Sequence, residues 1–209
     1  MAQWGKKYQH YLWTIDKTLI PETVKYAESH GFIMRDLREI KGFDDFWKGV
    51  FKYYLDISPA SIGIICDLAR MLIMIEEGGF YLDLDLFLET WDQSFMHYFD
   101  FFAFRDRVSG DIEVVGTWGF GAKPHHEVVI GHLAIFKENF LKPVAQRNLG
   151  TNTCFHLIAE HTYYATGPVH FGIAYYKFHH MNGNEDVVFL NPMELHKEGK
   201  GLEQDIINF

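Results

Sequence analysis

Two carboxylates, Asp83 and Asp85, stand one residue apart, directly after a short apolar segment and the glycine pair Gly78-Gly79. In an extended chain, side chains two residues apart point the same way and lie roughly 6–7 Å from each other. The spacing therefore predicts that both aspartates face one hard divalent cation, while Leu84 turns into the core between them. Two anions on one face repel each other and are costly to desolvate, so they require a cation as partner. A metal ion that bridges to a diphosphate is that kind of partner.

A second polar pair, Asp67 and Arg70, lies in a segment that is otherwise apolar nearly all round. Three residues apart on a helix, the two side chains share one face. They could form a buried ion pair that anchors the helix, which is the commoner arrangement. They could also reach a polar ligand, since arginine offers a planar fork of donors to sugar hydroxyls or phosphate oxygens. Because this helix leads through Gly78-Gly79 into the segment before Asp83, its proximity to the aspartates favours a ligand.

Taken together, these residues resemble a family signature. The pattern Asp67-x-x-Arg70 and then Gly78-Gly79-x-Tyr81-Leu82-Asp83-x-Asp85 is similar to that of DXD-containing GT-A glycosyltransferases. The similarity is to the branch that holds capsular-polysaccharide transferases, mannosyltransferases and large glucosylating toxins. Weaker similarity extends to the opening segment 10–22, to Thr166-Gly167-Pro168, which looks like a late turn of the family, and to Leu195-His196. The chain also resembles, in length, a compact glycosyltransferase domain encoded by a large algal virus.

The resemblance implies roles for the matching residues. Asp83 and Asp85 would hold Mn²⁺ or Mg²⁺, with His196 as a third metal ligand, although Glu198-Gly199-Lys200 replaces the triplet that follows this histidine in relatives. Catalysis would rest on Asp85, Asp83 and Arg70. The donor would be bound by a larger set, in which Trp13 and Tyr81 line a uridine pocket: Trp13, Thr14, Asp67, Arg70, Tyr81, Leu84 and Trp118.

The segment 116–121, which contains Trp118, is open to two interpretations. It is either a turn that flanks a strand or a loop that packs against a sugar, since apolar ring faces stack well on sugars.

The elements that must position these residues alternate between strands and helices, which predicts the α/β class with a mainly parallel sheet. Ligands of such sheets lie at the carboxyl ends of strands. The resemblance implies the GT-A form of this class, a Rossmann-like sheet flanked by helices. The predicted strands are 10–15, 32–34, 80–84, 101–104, 113–115 and 186–190, and the predicted helices are 21–29, 43–55, 58–77, 125–140 and 153–163.

Length and composition bound the class of protein. With 209 residues and 48% hydrophobic content, the sequence predicts one domain, residues 1–209, with 198–209 as a tail toward any further domain. A net charge of −9 without a basic run argues against nucleic-acid binding. The sequence has no segment of about 20 apolar residues, so it predicts no membrane span. The first residues lack the apolar core of a signal peptide. Cys66 and Cys154 are the only cysteines, which favours a reducing compartment over a disulfide scaffold. The chain is therefore expected to be soluble and cytoplasmic.

The leading hypothesis is a metal-dependent glycosyltransferase. It would move a hexose from a nucleotide diphosphate sugar, with UDP as the nucleotide, to a hydroxyl of a glycan or glycoprotein acceptor. The alternatives are a phosphohydrolase of the haloacid-dehalogenase type, which also ends a strand in Asp-x-Asp, and a catalytically inert module that binds a sugar nucleotide. The donor sugar, the stereochemistry and the base stay open, with Asp92, Asp111 and Glu160 all conceivable as bases.

Overall fold

The computed structural model describes residues 8–46, 48, 62–84, 94–108, 112–140, 162 and 166–189. The chain divides into two compact units, Met1–Tyr53 and Tyr54–Phe209. Whether the units act as the single domain expected from the sequence stays a prediction. The tail from residue 198 lies outside the described residues.

The first unit is a strand–helix–strand motif. Strands β1 (His10–Thr14) and β2 (Phe32–Asp36) pair in parallel, and helix α1 (Pro21–Ser29) connects them. All three were predicted from the sequence and are confirmed. Proline at the first helical position starts α1, and Gly31, at φ +85°, reverses the chain after it. The predicted helix 43–55 is described only at its beginning, where α2 (Phe43–Phe46) forms a short helix.

The first described element of the second unit is the helix that carries Asp67 and Arg70. Helix α3 (Ile62–Glu76) buries ten of its fifteen residues, which confirms that it runs through the interior; the predicted start at residue 58 lies outside the described ranges. The chain then turns at Gly78 into β3 (Gly79–Leu82). Gly78 has φ +64°, and a Cβ there would stand 2.6 Å from the Pro124 ring, so only glycine fits this turn.

Among the described residues, strands β4 (Phe101–Val108), β5 (Ile112–Ala122) and β6 (Asp186–Phe189) join β3 in a four-stranded sheet of order β3-β5-β4-β6. The β4–β6 pair is parallel, whereas β5 runs antiparallel to both β3 and β4. The predicted α/β class, with parallel strands flanked by helices, is confirmed. The described part of this sheet is mixed rather than mainly parallel, because the short link between β4 and β5 makes them a hairpin.

Helices α4 (Glu127–Phe140) and α5 (Pro168–Phe178) pack on the sheet. Helix α4 confirms the prediction for 125–140, but α5 was missed, and the predicted helix 153–163 lies almost entirely outside the described residues. The core joins α3, the sheet and both helices through large buried side chains: Met71, Met74, Phe101, Phe120, Val128 and Phe171. Within the described ranges, no helix combines the length and apolar content that a membrane crossing needs.

A pair of buried histidines lies between α4 and α5. The rings of His132 and His170 have their centres 4.9 Å apart, and His132 is completely buried. Burial, together with the neighbouring imidazole of His170, lowers the pKa of His132 to about 3. The unfolded chain, in which histidine titrates near 6.5, therefore takes up this proton first as the pH falls.

The consequence is an acid-sensitive contribution to stability. It is fully present above about pH 6.5 and is lost as the pH falls from there toward 3. Between pH 7 and pH 5 the wild type is expected to lose about 2 kcal/mol more of its unfolding free energy than His132→Leu does. Urea unfolding at both pH values measures the difference, with His97→Leu, an exposed position, as the control. An equal loss in the wild type and in His132→Leu would contradict the prediction.

Candidate functional site

The site is centred on the guanidinium group of Arg70, whose side chain is only 7% exposed. Its Nη1 donates to the carbonyl oxygen of Thr117 on β5, and its Nη2 lies 3.3 Å from the nearest oxygens of Asp67 and Asp83. The guanidinium carbon lies 4.7 Å from the ring centre of Tyr81, close enough for a cation–π interaction. Helix α3, strand β3 and strand β5 thus meet at one cation.

Asp67, one turn before Arg70 on α3, is the more deeply buried carboxylate. Its Oδ1 faces Arg70, and its Oδ2 accepts a hydrogen bond of 2.9 Å from the hydroxyl of Thr166. Burial raises the pKa of Asp67 to about 6, against the opposing effects of the Arg70 cation and the Thr166 hydrogen bond. At neutral pH the carboxylate is therefore mainly ionised and paired with Arg70.

Asp83 directly follows β3 and is the more accessible carboxylate, with 28% of its side chain exposed. The Tyr81 hydroxyl donates to its Oδ1 at 2.6 Å, the same oxygen that faces Arg70. Burial raises the pKa of Tyr81 well above its usual range, so this hydroxyl stays protonated and remains a donor. Both side-chain contacts that the described residues make with Asp83 are on Oδ1, and none of them contacts Oδ2.

A large β-bulge in β5 brings the strand backbone to this cluster. Ala103 pairs with Phe120 and Arg105 with Val115, so the single residue Phe104 of β4 faces four residues of β5, 116–119. Such bulges re-aim the backbone next to functional sites. Here the Thr117 carbonyl accepts from Arg70, and the next carbonyl, that of Trp118, accepts from the backbone N–H of Asp83 at 2.8 Å.

The structure brings four of the predicted site residues into contact: Asp67, Arg70, Tyr81 and Asp83. Trp118 lies on the bulge within strand β5, where its ring stacks on Phe104 with the centres 5.1 Å apart, so one ring face is already covered. Thr117 and Thr166 were not among the predicted site residues. Thr166 stood out only through the Thr-Gly-Pro resemblance, and no local pattern marks a strand carbonyl such as that of Thr117.

Two further predicted donor contacts, Trp13 and Thr14, lie on β1 of the first unit. The guanidinium carbon of Arg35, on β2, stands 4.7 Å from the ring centre of Trp13, and Thr14 pairs with Asp36. Their place in a uridine pocket stays a prediction. The predicted metal ligands Asp85 and His196, and the conceivable bases Asp92, Asp111 and Glu160, lie outside the described residues.

The prediction for Leu84 was wrong. Instead of turning into the core, its side chain is 81% exposed, because β3 ends at Leu82 and the chain turns at Leu84. The strand predicted to run through Leu84 therefore ends two residues earlier, at Leu82. Asp83 is nevertheless fixed, since its backbone N–H still bonds to β5.

A divalent metal can be tested against the donor atoms of this cluster. The described residues contain no group of three or more His, Cys, Asp or Glu side chains placed to hold a metal ion. Mg²⁺ and similar ions need only one or two carboxylates when substrate phosphates and water supply the remaining oxygens. The Oδ2 of Asp83, which no described residue contacts, meets that requirement, so the described residues fit a metal held jointly with a diphosphate.

Comparison with known proteins gives one kind of match. No protein-family model matches the chain, and no curated protein matches it in sequence. Among solved structures it is similar to one described as the PaToxG glycosyltransferase, with a TM-score of 0.56 and 15% sequence identity. The match covers 84% of this chain and 60% of that one. The chain therefore has a glycosyltransferase-like fold, and at this identity the likeness shows the fold alone.

Proposed function

We propose that this chain is a metal-dependent glycosyltransferase that moves a hexose from a nucleotide diphosphate sugar, with UDP as the nucleotide, to a hydroxyl of a glycan or glycoprotein. The observation that carries the proposal is the Asp67–Arg70–Asp83 cluster at the end of β3, on a fold of this kind. An isolated ion pair would need no third group. Here a second, partly exposed carboxylate is held at the same cation with one oxygen uncontacted by any described residue.

In this proposal, Asp83 and Asp85 hold Mn²⁺ or Mg²⁺, with His196 as a further ligand. When bound, such an ion neutralises charge on the leaving diphosphate. Tyr81 keeps Asp83 in place through the hydrogen bond from its hydroxyl, and its ring makes a cation–π contact with Arg70. Trp13, Thr14 and Leu84 are proposed as donor contacts on the resemblance, and Trp118 because apolar ring faces stack well on sugars.

The test of this function is calorimetry with UDP, with and without Mn²⁺. Because the metal is proposed to bridge protein carboxylates and diphosphate, Mn²⁺ is expected to tighten UDP binding by about tenfold or more, equivalent to at least about 1.4 kcal/mol. Uridine, which has the same base and ribose but no diphosphate, is the matched control and is expected to show no gain from Mn²⁺. If UDP binding does not depend on metal, the proposed function is wrong.

Two alternatives predict other results in companion assays. An inert sugar-nucleotide module would bind UDP but never release free hexose from a UDP-sugar, so slow hydrolysis excludes it. A phosphohydrolase would release phosphate from simple phosphate esters. The structure does not support the phosphohydrolase hypothesis, since β3 pairs with β5 in antiparallel orientation and the fold is glycosyltransferase-like.

A further inference from the structure

Both oxygens of Asp67 already have a partner within the protein. Its Oδ1 lies 3.3 Å from Arg70 Nη2, and its Oδ2 accepts from Thr166 Oγ1 at 2.9 Å. The side chain of Asp67 is only 6% exposed, so it offers little surface to a sugar hydroxyl. The influence of Asp67 on a donor must therefore pass through Arg70.

Arg70 is also largely committed to the protein. Besides Asp67 and Asp83 at Nη2 and the Thr117 carbonyl at Nη1, its Nε lies 3.4 Å from the Cys66 carbonyl. One cation between two carboxylates leaves the cluster with a net charge of −1, which repels a diphosphate unless a metal intervenes. Arg70 is thus placed to orient Asp83 rather than to attract phosphate by itself.

Thr166 closes the far end of this chain of contacts. Its hydroxyl has one hydrogen, and the Asp67 oxygen at 2.9 Å is a nearer acceptor than the Thr162 carbonyl at 3.3 Å. The next residue, Gly167, bonds through its N–H to that same carbonyl, and a Cβ on it would stand 2.4 Å from the Thr162 oxygen. These contacts, just before α5, hold Thr166 beside a carboxylate 99 residues earlier in the chain.

We propose that Thr166 is a positioning residue of the site: its hydroxyl fixes Asp67, Asp67 fixes Arg70, and Arg70 fixes the carboxylate of Asp83 that meets the donor and its metal. The proposal rests on the function proposed above. It assigns a role to the Thr-Gly-Pro turn and to the start of α5, and it leaves Asp83 as the group of this cluster that contacts ligand.

The test compares Thr166→Val, which removes the hydroxyl at nearly constant volume, with Thr166→Ser, which keeps it. A hydrogen bond to a charged group is worth about tenfold or more in an equilibrium constant. Thr166→Val is therefore expected to weaken Mn²⁺-dependent UDP binding by about tenfold, measured well below the unfolding midpoint, while Thr166→Ser binds as the wild type does. If Thr166→Val lowers only the unfolding midpoint and leaves binding unchanged, Thr166 is merely structural and the proposal is overturned.

A second measurement needs no ligand and separates this proposal from the proposed function. In nitrogen-15 spectra, the side-chain Nε–H signal of Arg70, assigned with Arg70→Lys, is expected to shift and exchange faster in Thr166→Val but not in Thr166→Ser. An unchanged Arg70 signal in Thr166→Val overturns the positioning role. Wild-type protein that binds no UDP refutes the proposed function instead, whatever the Arg70 signal shows.

Discussion

Replacing Arg70 with methionine is expected to lower the free energy of unfolding by about 3–5 kcal/mol, the usual cost of removing one partner from a buried ion pair. The loss is large because Asp67, which is 4% exposed, would be left without its counter-ion. Asp83 would also lose its ion pair, since it contacts the same Nη2 atom of Arg70. Methionine preserves much of the volume and the apolar stem, so the result reports mainly on charge. Urea unfolding at pH 7 measures it.

The control is an exposed ion pair that also joins an arginine to a carboxylate. Arg105 and Glu113 lie 2.8 Å apart on β4 and β5, with side chains 36% and 44% exposed. Arg105→Met is expected to cost no more than about 1 kcal/mol, because water screens such pairs. A double variant, Arg70→Met with Asp67→Leu, should recover part of the loss, since it removes the stranded charge as well. An Arg70→Met cost no greater than that of Arg105→Met would show that the buried cluster does not depend on its cation.

The sequence predicted those parts of the fold whose signals are local. Pro21 and Gly31 mark the two ends of α1, and Gly78-Gly79 marks the end of α3, where the structure requires a positive φ and a close approach to Pro124. What the sequence could not supply was strand pairing. The antiparallel partner of β3 is β5, some forty residues later. Neither segment contains a sequence pattern that identifies the other as its partner.

Helix α5 shows a second kind of miss. Pro168 at its first position is a recognised start signal, but the resemblance of Thr166-Gly167-Pro168 to a family turn predicts only a turn and no helix after it. The turn interpretation covers only the residues before the helix. The bulge at 116–119 was missed for a different reason, because an insertion in a ladder depends on both strands and cannot be seen in one.

The candidate site was predictable where it is local in sequence. The three-residue spacing of Asp67 and Arg70 placed them on one face of a helix, and the structure confirms the buried ion pair. Their contact with Asp83 was anticipated only as proximity through the glycine turn. The hydroxyl of Thr166 and the carbonyl of Thr117 reach the cluster from segments far along the chain. Their contacts with Asp67 and Arg70 can therefore be identified only in the folded structure.

Replacing Asp85 with asparagine is expected to lower turnover of a UDP-sugar by about a thousandfold, because a metal's stabilisation of the leaving diphosphate is worth several kcal/mol and each 1.4 kcal/mol is tenfold in rate. Asparagine has nearly the same shape but no charge, so the far-ultraviolet circular dichroism and the unfolding midpoint should stay at wild-type values. Released hexose, followed over time at saturating Mn²⁺, measures the rate.

The control for net charge is Asp44→Asn, which also removes one negative charge, but from an exposed carboxylate of α2. If Asp85→Asn turns over as the wild type does, the metal assignment is wrong and the resemblance has misplaced the second carboxylate. If both variants lose activity equally, the effect is one of net charge and not of ligation. Loss confined to Asp85→Asn, together with metal-independent residual binding of UDP, would place the metal between this carboxylate and the diphosphate. The partly exposed Asp83 would then be its partner on the protein side, held in place by Arg70 and Tyr81.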